Sequence, residues 1–286
     1  MIPSRFEYVC PAKLEDAFAV LTAYQDDAKI LAGGQSLVSM LKLRLANPKY
    51  LVDIGRIEGL SYIREEADGK IAIGAMTTYA QIKDSKLLQE KCSLLPETAS
   101  VVGDVQVRNR GTLGGTLAHA DPAGDLPTAI LALEADLKAA GPKGERWIKA
   151  TEFFLGMYGT ALAPDEILTE IRVPVLTGLK TAYRKAARRP SDFAMVGVAI
   201  CLKLGPDNVC EKIAIGITGV TDKPYRADAV EKQLIGKKLE PALLESAAQA
   251  VTQDIDVSGN MHASPDFRSH LARVYLTRTI QAAMSA

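Results

Sequence analysis

Two pairs of adjacent glycines are the residues best suited to hold a ligand in this 286-residue sequence. Gly33-Gly34 leads into Gln35-Ser36, and Gly114-Gly115 sits inside the run Arg110-Gly111-Thr112-Leu113-Gly114-Gly115-Thr116. Without a Cβ the backbone can come close to a bound group, successive N–H groups can point into one concavity, and a following helix start adds partial positive charge. These are the requirements of a phosphate site. Neither run reads GxGxxG or GxxxxGK[ST], so the usual dinucleotide and nucleoside-triphosphate signatures are absent. Gly33-Gly34-Gln35-Ser36 alone reads as a tight turn with a helix cap. Taken with the second cluster, it forms half of a pair of loops able to hold one pyrophosphate.

Other side chains offer less. Asp121 and Asp125 have helical spacing, but Pro122 and Gly124 between them favour a loop, where carboxylates are ordinarily solvated. Arg188 and Arg189, in the basic string that begins at Tyr183, read as solvated surface, and His119 reads as polar filling in a glycine-rich stretch. Cys10, Cys92, Cys201 and Cys210 lie far apart and make no CxxC or ferredoxin-like run, so they read as free thiols with no zinc or iron–sulfur site. No residue is assigned as catalytic or as a metal ligand.

The elements that must position these groups alternate between strand and helix. A strand over Phe6–Val9, a helix from Leu14 to about Tyr24 and a strand over Lys29–Leu31 precede the first glycine pair. Ser36 then caps a helix through Leu37, Met40, Leu41 and Leu45 that Asn47-Pro48 stops. Strands follow over Tyr50–Ile54, Ser61–Arg64 and Lys70–Ile73, and helices over Thr78–Asp84 and Leu94–Val102. Beyond the second cluster come a helix from about Leu126 to Leu133 and a strand over Glu166–Val173. Leu176-Thr177-Gly178 is the expected junction between two α+β domains, residues 1–177 and 178–286. The second holds strands over Met195–Leu204 and Glu211–Val220 and helices over Ala227–Leu234, Pro241–Asp254 and Pro265–Met284. Hydrophobic residues at 48% against 24% charged, with no apolar run near the ~20 residues a bilayer requires, argue against disorder and against a membrane span. Lys plus Arg and Asp plus Glu each total 34, so no global basic field attracts nucleic acid. No secretory signal is visible at the start, and a cytoplasmic location is expected.

The order of these segments resembles one family. Leu31-Ala32-Gly33-Gly34-Gln35-Ser36-Leu37, followed by Val107-Arg108-Asn109-Arg110-Gly111-Thr112-Leu113-Gly114-Gly115-Thr116, is similar to the medium, FAD-binding subunits of molybdenum hydroxylases of the carbon monoxide dehydrogenase, quinoline oxidoreductase and xanthine dehydrogenase type. The opening MIPxxFEY, Leu51-Val52-Asp53-Ile54, Ile73-Gly74-Ala75-Met76-Thr77 and Glu152-Phe153-Phe154-Leu155-Gly156 match as well. The resemblance implies an α+β fold, a two-subdomain FAD-binding domain of the vanillyl-alcohol-oxidase (PCMH) kind followed by a smaller C-terminal domain.

It also implies a site. The flavin contacts carried over by position are Ala32, Gly33, Gly34, Gln35, Ser36 and Leu37, then Thr112, Gly114, Gly115 and Thr116. Val102 falls beside the flavin or ribityl region, Asp125 at a cofactor-touching carboxylate and Leu168 at a backbone contact. A carboxylate repels a pyrophosphate, so Asp125 suits acceptance from a hydroxyl. Arg184 or Lys185 approaches the isoalloxazine, the alignment not choosing between them. Two positions depart from the family pattern: Thr116 stands where many relatives have Asn, and Phe193 where many have Tyr, which keeps stacking and loses a hydroxyl. The resemblance further implies non-covalent FAD, a large partner subunit with a molybdenum cofactor, a small partner with two [2Fe–2S] clusters, a dimer of heterotrimers, and an external electron acceptor. Two rival readings are a stand-alone flavin oxidase and a flavin-free binding or assembly module of the same fold.

Overall fold

A computed structural model describes residues 2–285. Its first unit is a small parallel sheet in which Tyr50–Asp53 lies between Glu7–Val9 and Ala28–Leu31. The helix Leu14–Tyr24 buries Ala17 and Leu21 against Ala28, Val52 and Ile54. Parallel neighbours require crossovers, and this helix supplies the first while Leu37–Leu43 lies in the second.

A second sheet is antiparallel, in the order Ile63–Glu65, Lys70–Gly74, Ile167–Pro174, Asp136–Gly141, Gly144–Lys149. Its inner face and the short helices Tyr79–Asp84, Leu94–Ser100, Leu113–His119 and Asp125–Ala132 share one core that includes Ile71, Ile73, Leu95, Leu117, Ile130 and Phe153. Burying each large aliphatic chain contributes about 1.5–3 kcal/mol.

The third sheet runs Lys180–Ala186, Val196–Leu204, Cys210–Thr218, Tyr225–Arg226, all antiparallel. Alternation divides it cleanly. Val196, Val198, Ile200 and Leu202 face the core under the 21-residue helix Pro265–Ser285, whereas Ala199 and Cys201 join the core of the five-stranded sheet. Small residues on that second face let the helix Asp125–Ala132, buried throughout, come close: a Cβ on Gly216 would lie 2.2 Å from the Thr128 carbonyl oxygen.

Several expectations change. The helix after the first glycine pair ends at Leu43, with Arg44 in the left-handed region and Leu45 exposed, and the Ser36 side chain makes no cap bond. The stretch over residues 105–125 is more helical than its composition suggested: Val105–Arg110 and Leu113–His119 are helices, and Asp125 begins a third behind Gly124. The hairpin Asp136–Lys149 has no counterpart in the sequence reading, and the basic string opens on the strand Lys180–Ala186.

Candidate functional site

The two glycine loops meet. A Cβ on Gly33 would sit 2.0 Å from the Arg110 carbonyl oxygen, so the loops pack directly against each other, and Tyr79 N donates to Gly111 O at 3.0 Å, tying the second loop to the helix Tyr79–Asp84. Gly34 has φ +78, the left-handed region that favours glycine. On the second loop Thr112 Oγ1 accepts from Gly115 N at 3.2 Å, Leu113 N donates to Thr77 O at 2.9 Å and Gly114 N to Ala75 O at 2.7 Å. These bonds tie the start of the Leu113–His119 helix to the neighbouring chain. A Cβ on Gly114 would lie 2.4 Å from Ala75 Cβ, whereas the nearest atoms to one on Gly115 would be the Thr112 hydroxyl at 2.6 Å and Ala32 Cβ at 3.6 Å. The glycines therefore have different reasons. Gly33 and Gly114 allow protein packing, Gly34 sets the turn, and Gly115 keeps open the gap between the loops.

That gap belongs to a cavity of about 420 Å³. Ala32, Gly33, Gly34, Gln35, Ser36 and Leu37 form one wall, Thr112, Gly114, Gly115 and Thr116 another, and Leu168 lies on its boundary. Among the described residues, the N–H groups of Gly34, Gln35 and Ser36 have no acceptor within the protein. The loop thus presents donors around a space that a glycine keeps clear, which fits a phosphate-bearing ligand.

A second cavity of about 160 Å³ adjoins the first and shares Gln35, Ser36, Tyr79, Thr116 and His119 with it. Val102, Asp125 and Phe193 line it; Phe193 is 64% exposed at its rim. His119 stacks on Tyr158, with ring centroids 5.0 Å apart, and burial pushes its imidazole below the ordinary value despite the opposing charge of Asp121.

Asp125 is not a solvated turn carboxylate. It is buried, its Oδ1 accepts from the Tyr183 hydroxyl at 2.5 Å, and its Oδ2 lies 3.2 Å from Lys185 Nζ. Burial pushes the carboxyl up, and the Lys185 charge and both hydrogen bonds pull against that without cancelling it. Lys185 Nζ also donates to the Asp192 carbonyl at 3.1 Å. Arg184 points the other way: it pairs with Glu97 at 2.8 Å and leaves half its side chain exposed, whereas Lys185, which like Arg184 lines neither cavity, is buried on the cavity-lining Asp125. Strand alternation separates the two cations, a signal present in the sequence once Lys180–Ala186 is recognised as a strand. Tyr79, Tyr158, Asp192 and the Tyr183 hydroxyl were not singled out from sequence. Aromatic residues outside any motif carry no local mark of what they will border.

The sequence matches two family profiles: "FAD binding domain in molybdopterin dehydrogenase" over residues 4–176, and "CO dehydrogenase flavoprotein C-terminal domain" over residues 181–283. The chain belongs to the FAD-binding medium subunits of the molybdenum hydroxylases. It is 40% identical to the glyceraldehyde dehydrogenase medium chain of Sulfolobus acidocaldarius, over 96% of each chain. It is 38% identical to the carbon monoxide dehydrogenase medium chain of Hydrogenophaga pseudoflava, over 99% of this chain and 98% of that one. Among solved structures it is similar to carbon monoxide dehydrogenase from Hydrogenophaga pseudoflava, with TM-score 0.97, 39% identity and coverage of 100% of this chain and 99% of that one. It is also similar to quinoline 2-oxidoreductase from Pseudomonas putida, with TM-score 0.93, 33% identity and the same coverage. This medium subunit is thus an oxidoreductase component whose cofactor is FAD. Among its described residues no helix is long and apolar enough to cross a membrane, and no group of three metal-ligating side chains occurs.

Proposed function

We infer that the medium subunit holds one FAD across both cavities, takes electrons from the iron–sulfur centres of a small partner subunit and passes them to an external acceptor, while a large molybdenum subunit transforms the substrate. The observation that carries this reading is the pair of glycine loops facing each other across one cavity, with unpaired N–H donors on one wall and Gly115 keeping the space clear. FAD, when bound, supplies a centre that accepts and releases two electrons.

The roles of the chain's own residues follow from position. Backbone N–H groups of Gly34, Gln35 and Ser36 donate to the pyrophosphate, and the second loop closes over it. Gln35, Ser36 and Thr116 border both cavities and take the polar chain between the two ends of the cofactor. Val102 and Phe193 shield the ring side, Leu168 borders the larger cavity, and Lys185, next to Asp125, supplies fixed charge near the ring. Arg184 has no part in this arrangement. The FAD domain spans residues 1–177 and the C-terminal domain 178–286, within a dimer of heterotrimers.

The division of labour is supported by the names of the relatives, which include carbon monoxide dehydrogenase, glyceraldehyde dehydrogenase and quinoline oxidoreductase on chains of similar length. Such unlike substrates on one shared architecture support a reading in which the substrate contacts lie on another subunit. The test is the visible spectrum and metal content of the purified chain. One flavin per chain without iron, with iron and molybdenum arriving on co-purification with products of neighbouring genes, supports the reading. A colourless chain that does not take up FAD favours a binding module, and a flavin-loaded chain that oxidises substrate alone favours a stand-alone oxidase.

A further inference from the structure

Behind the smaller cavity lies a buried triad with a member that no motif announces. Tyr183 is 3% exposed, and its hydroxyl donates to Asp125 Oδ1 at 2.5 Å. Lys185, two residues along the same strand and on the same face, holds the other oxygen at 3.2 Å. The opposite strand makes room for this contact: Gly197 pairs with Lys185 in register, and a Cβ on it would fall 2.5 Å from the Tyr183 hydroxyl oxygen. A phenylalanine would fill the same core. The hydroxyl is accommodated where a side chain is given up, and it reaches only the carboxylate that borders the cavity.

We propose that Tyr183 is a positioning residue that fixes the Asp125 carboxylate on the Lys185 ammonium, so that the pair stands beside the flavin as a charge-balanced dipole. The proposal rests on the assignment of the smaller cavity to the ring side of FAD. Each Asp125 oxygen has one donor, from Tyr183 and Lys185 respectively. Removing the hydroxyl leaves Oδ1 buried without its donor, which favours the protonated acid over the carboxylate. Proton uptake by Asp125 would leave the Lys185 charge unbalanced, and an unbalanced cation favours the reduced, more negative flavin. The other titratable groups around this cavity are Tyr79, His119, Asp121 and Asp192, and all are unchanged by the substitution. A difference between wild type and variant therefore reports on Asp125.

The experiment measures the flavin midpoint potential against pH in the FAD-loaded full chain for wild type, Tyr183→Phe, Asp125→Asn and Lys185→Met. Tyr225→Phe serves as control, since it deletes another tyrosine hydroxyl, on a half-buried ring, that donates to Val251 O beside the C-terminal core. The expected result is a potential in Tyr183→Phe that rises above wild type on acidification by a tenfold change in the two-electron equilibrium, about 30 mV. That rise should be absent from Tyr225→Phe and from Tyr183→Phe built on Asp125→Asn. Superimposable curves for wild type and Tyr183→Phe, with Asp125→Asn and Lys185→Met shifted, overturn the positioning role and leave the flavin site standing. If Asp125→Asn and Lys185→Met also leave the potential and the FAD dissociation constant unchanged, the ring-side assignment falls and the proposal with it. Infrared titration of the flavin-free chain gives an independent readout: the carboxylic-acid band removed by Asp125→Asn should persist to higher pH in Tyr183→Phe, and an unmoved band contradicts the proposal.

Discussion

Gly33 and Gly115 are chemically identical residues with different tasks, and substitution separates them. A Cβ on Gly33 would press on the Arg110 backbone at 2.0 Å, so Gly33→Ala should push the loops apart and lower stability by about 1–3 kcal/mol, readable as a fall in Tm. At Gly115 the nearest obstacles are the Thr112 hydroxyl and, farther off, Ala32. Gly115→Val should therefore displace the Thr112 cap and lower stability by about 1 kcal/mol, yet stay folded and lose FAD on purification; stoichiometric flavin in that variant would contradict the assignment of the gap. Lys185 and Arg184 separate in the same way. Lys185→Met removes the buried cation held on Asp125, the carboxylate that lines the smaller cavity, and should lower the two-electron potential by on the order of 20–45 mV at alkaline pH. The deficit should shrink on acidification, as the stranded Asp125 takes up a proton and the lost charge is matched. Arg184→Met removes a cation paired with Glu97 at the surface, and Arg189→Met an exposed one, so both should leave the potential near wild type. Redox titration of the three variants at two pH values decides this, and equal potentials throughout would remove Lys185 from the site.

At the scale of elements, the five-stranded sheet carries its own pH dependence. Asp136 lies between Lys149 at 2.5 Å and Lys70 at 2.7 Å, and Glu170 accepts from Tyr62 at 2.5 Å and Arg172 at 2.7 Å. Burial pushes both carboxyls up, but these partners outweigh it and hold them below their ordinary values. A carboxylate depressed in the folded state stabilises fully above its unfolded value of about 4, and that contribution is lost as pH falls through the folded value. Tm should accordingly drop below about pH 4, and Lys70→Met, which strips one partner from Asp136, should show a smaller drop. An unchanged acid limb in that variant would remove the ion pair as its cause. Legibility also differs by element. The Leu14–Tyr24 helix was readable because its apolar residues repeat at helical spacing and are buried by the adjacent strands. The Leu113–His119 helix was not, because two glycines and a threonine among seven residues have loop composition, and its first turn is held by carbonyls of Ala75 and Thr77, far away in sequence. The strand Lys180–Ala186 was hidden by its charges, since Lys185 is buried through a partner that sequence does not display. The glycine walls were legible as loops because backbone access demands glycine locally. The Tyr183 contact was not, because it depends on the register that sets Gly197 opposite Lys185.

At the scale of the molecule, the smaller cavity is bordered by residues distant in sequence, from Gln35 to Phe193. The glycine loops precede residue 120, whereas Phe193 follows the strand Lys180–Ala186, from which Tyr183 and Lys185 hold the cavity-lining Asp125 from behind. On the proposed reading, one folded chain completes the cofactor site and substrate chemistry belongs to partners. The most direct test is an anaerobic titration of flavin absorbance with carbon monoxide, an aldehyde and an N-heterocycle, run on the FAD-loaded chain alone and on the complex co-purified with its partners. The flavin should stay oxidised in the isolated chain with every substrate and bleach in the complex with the one its molybdenum subunit accepts; bleaching of the isolated chain by any of them would contradict the assignment of this protein as an electron-transfer subunit.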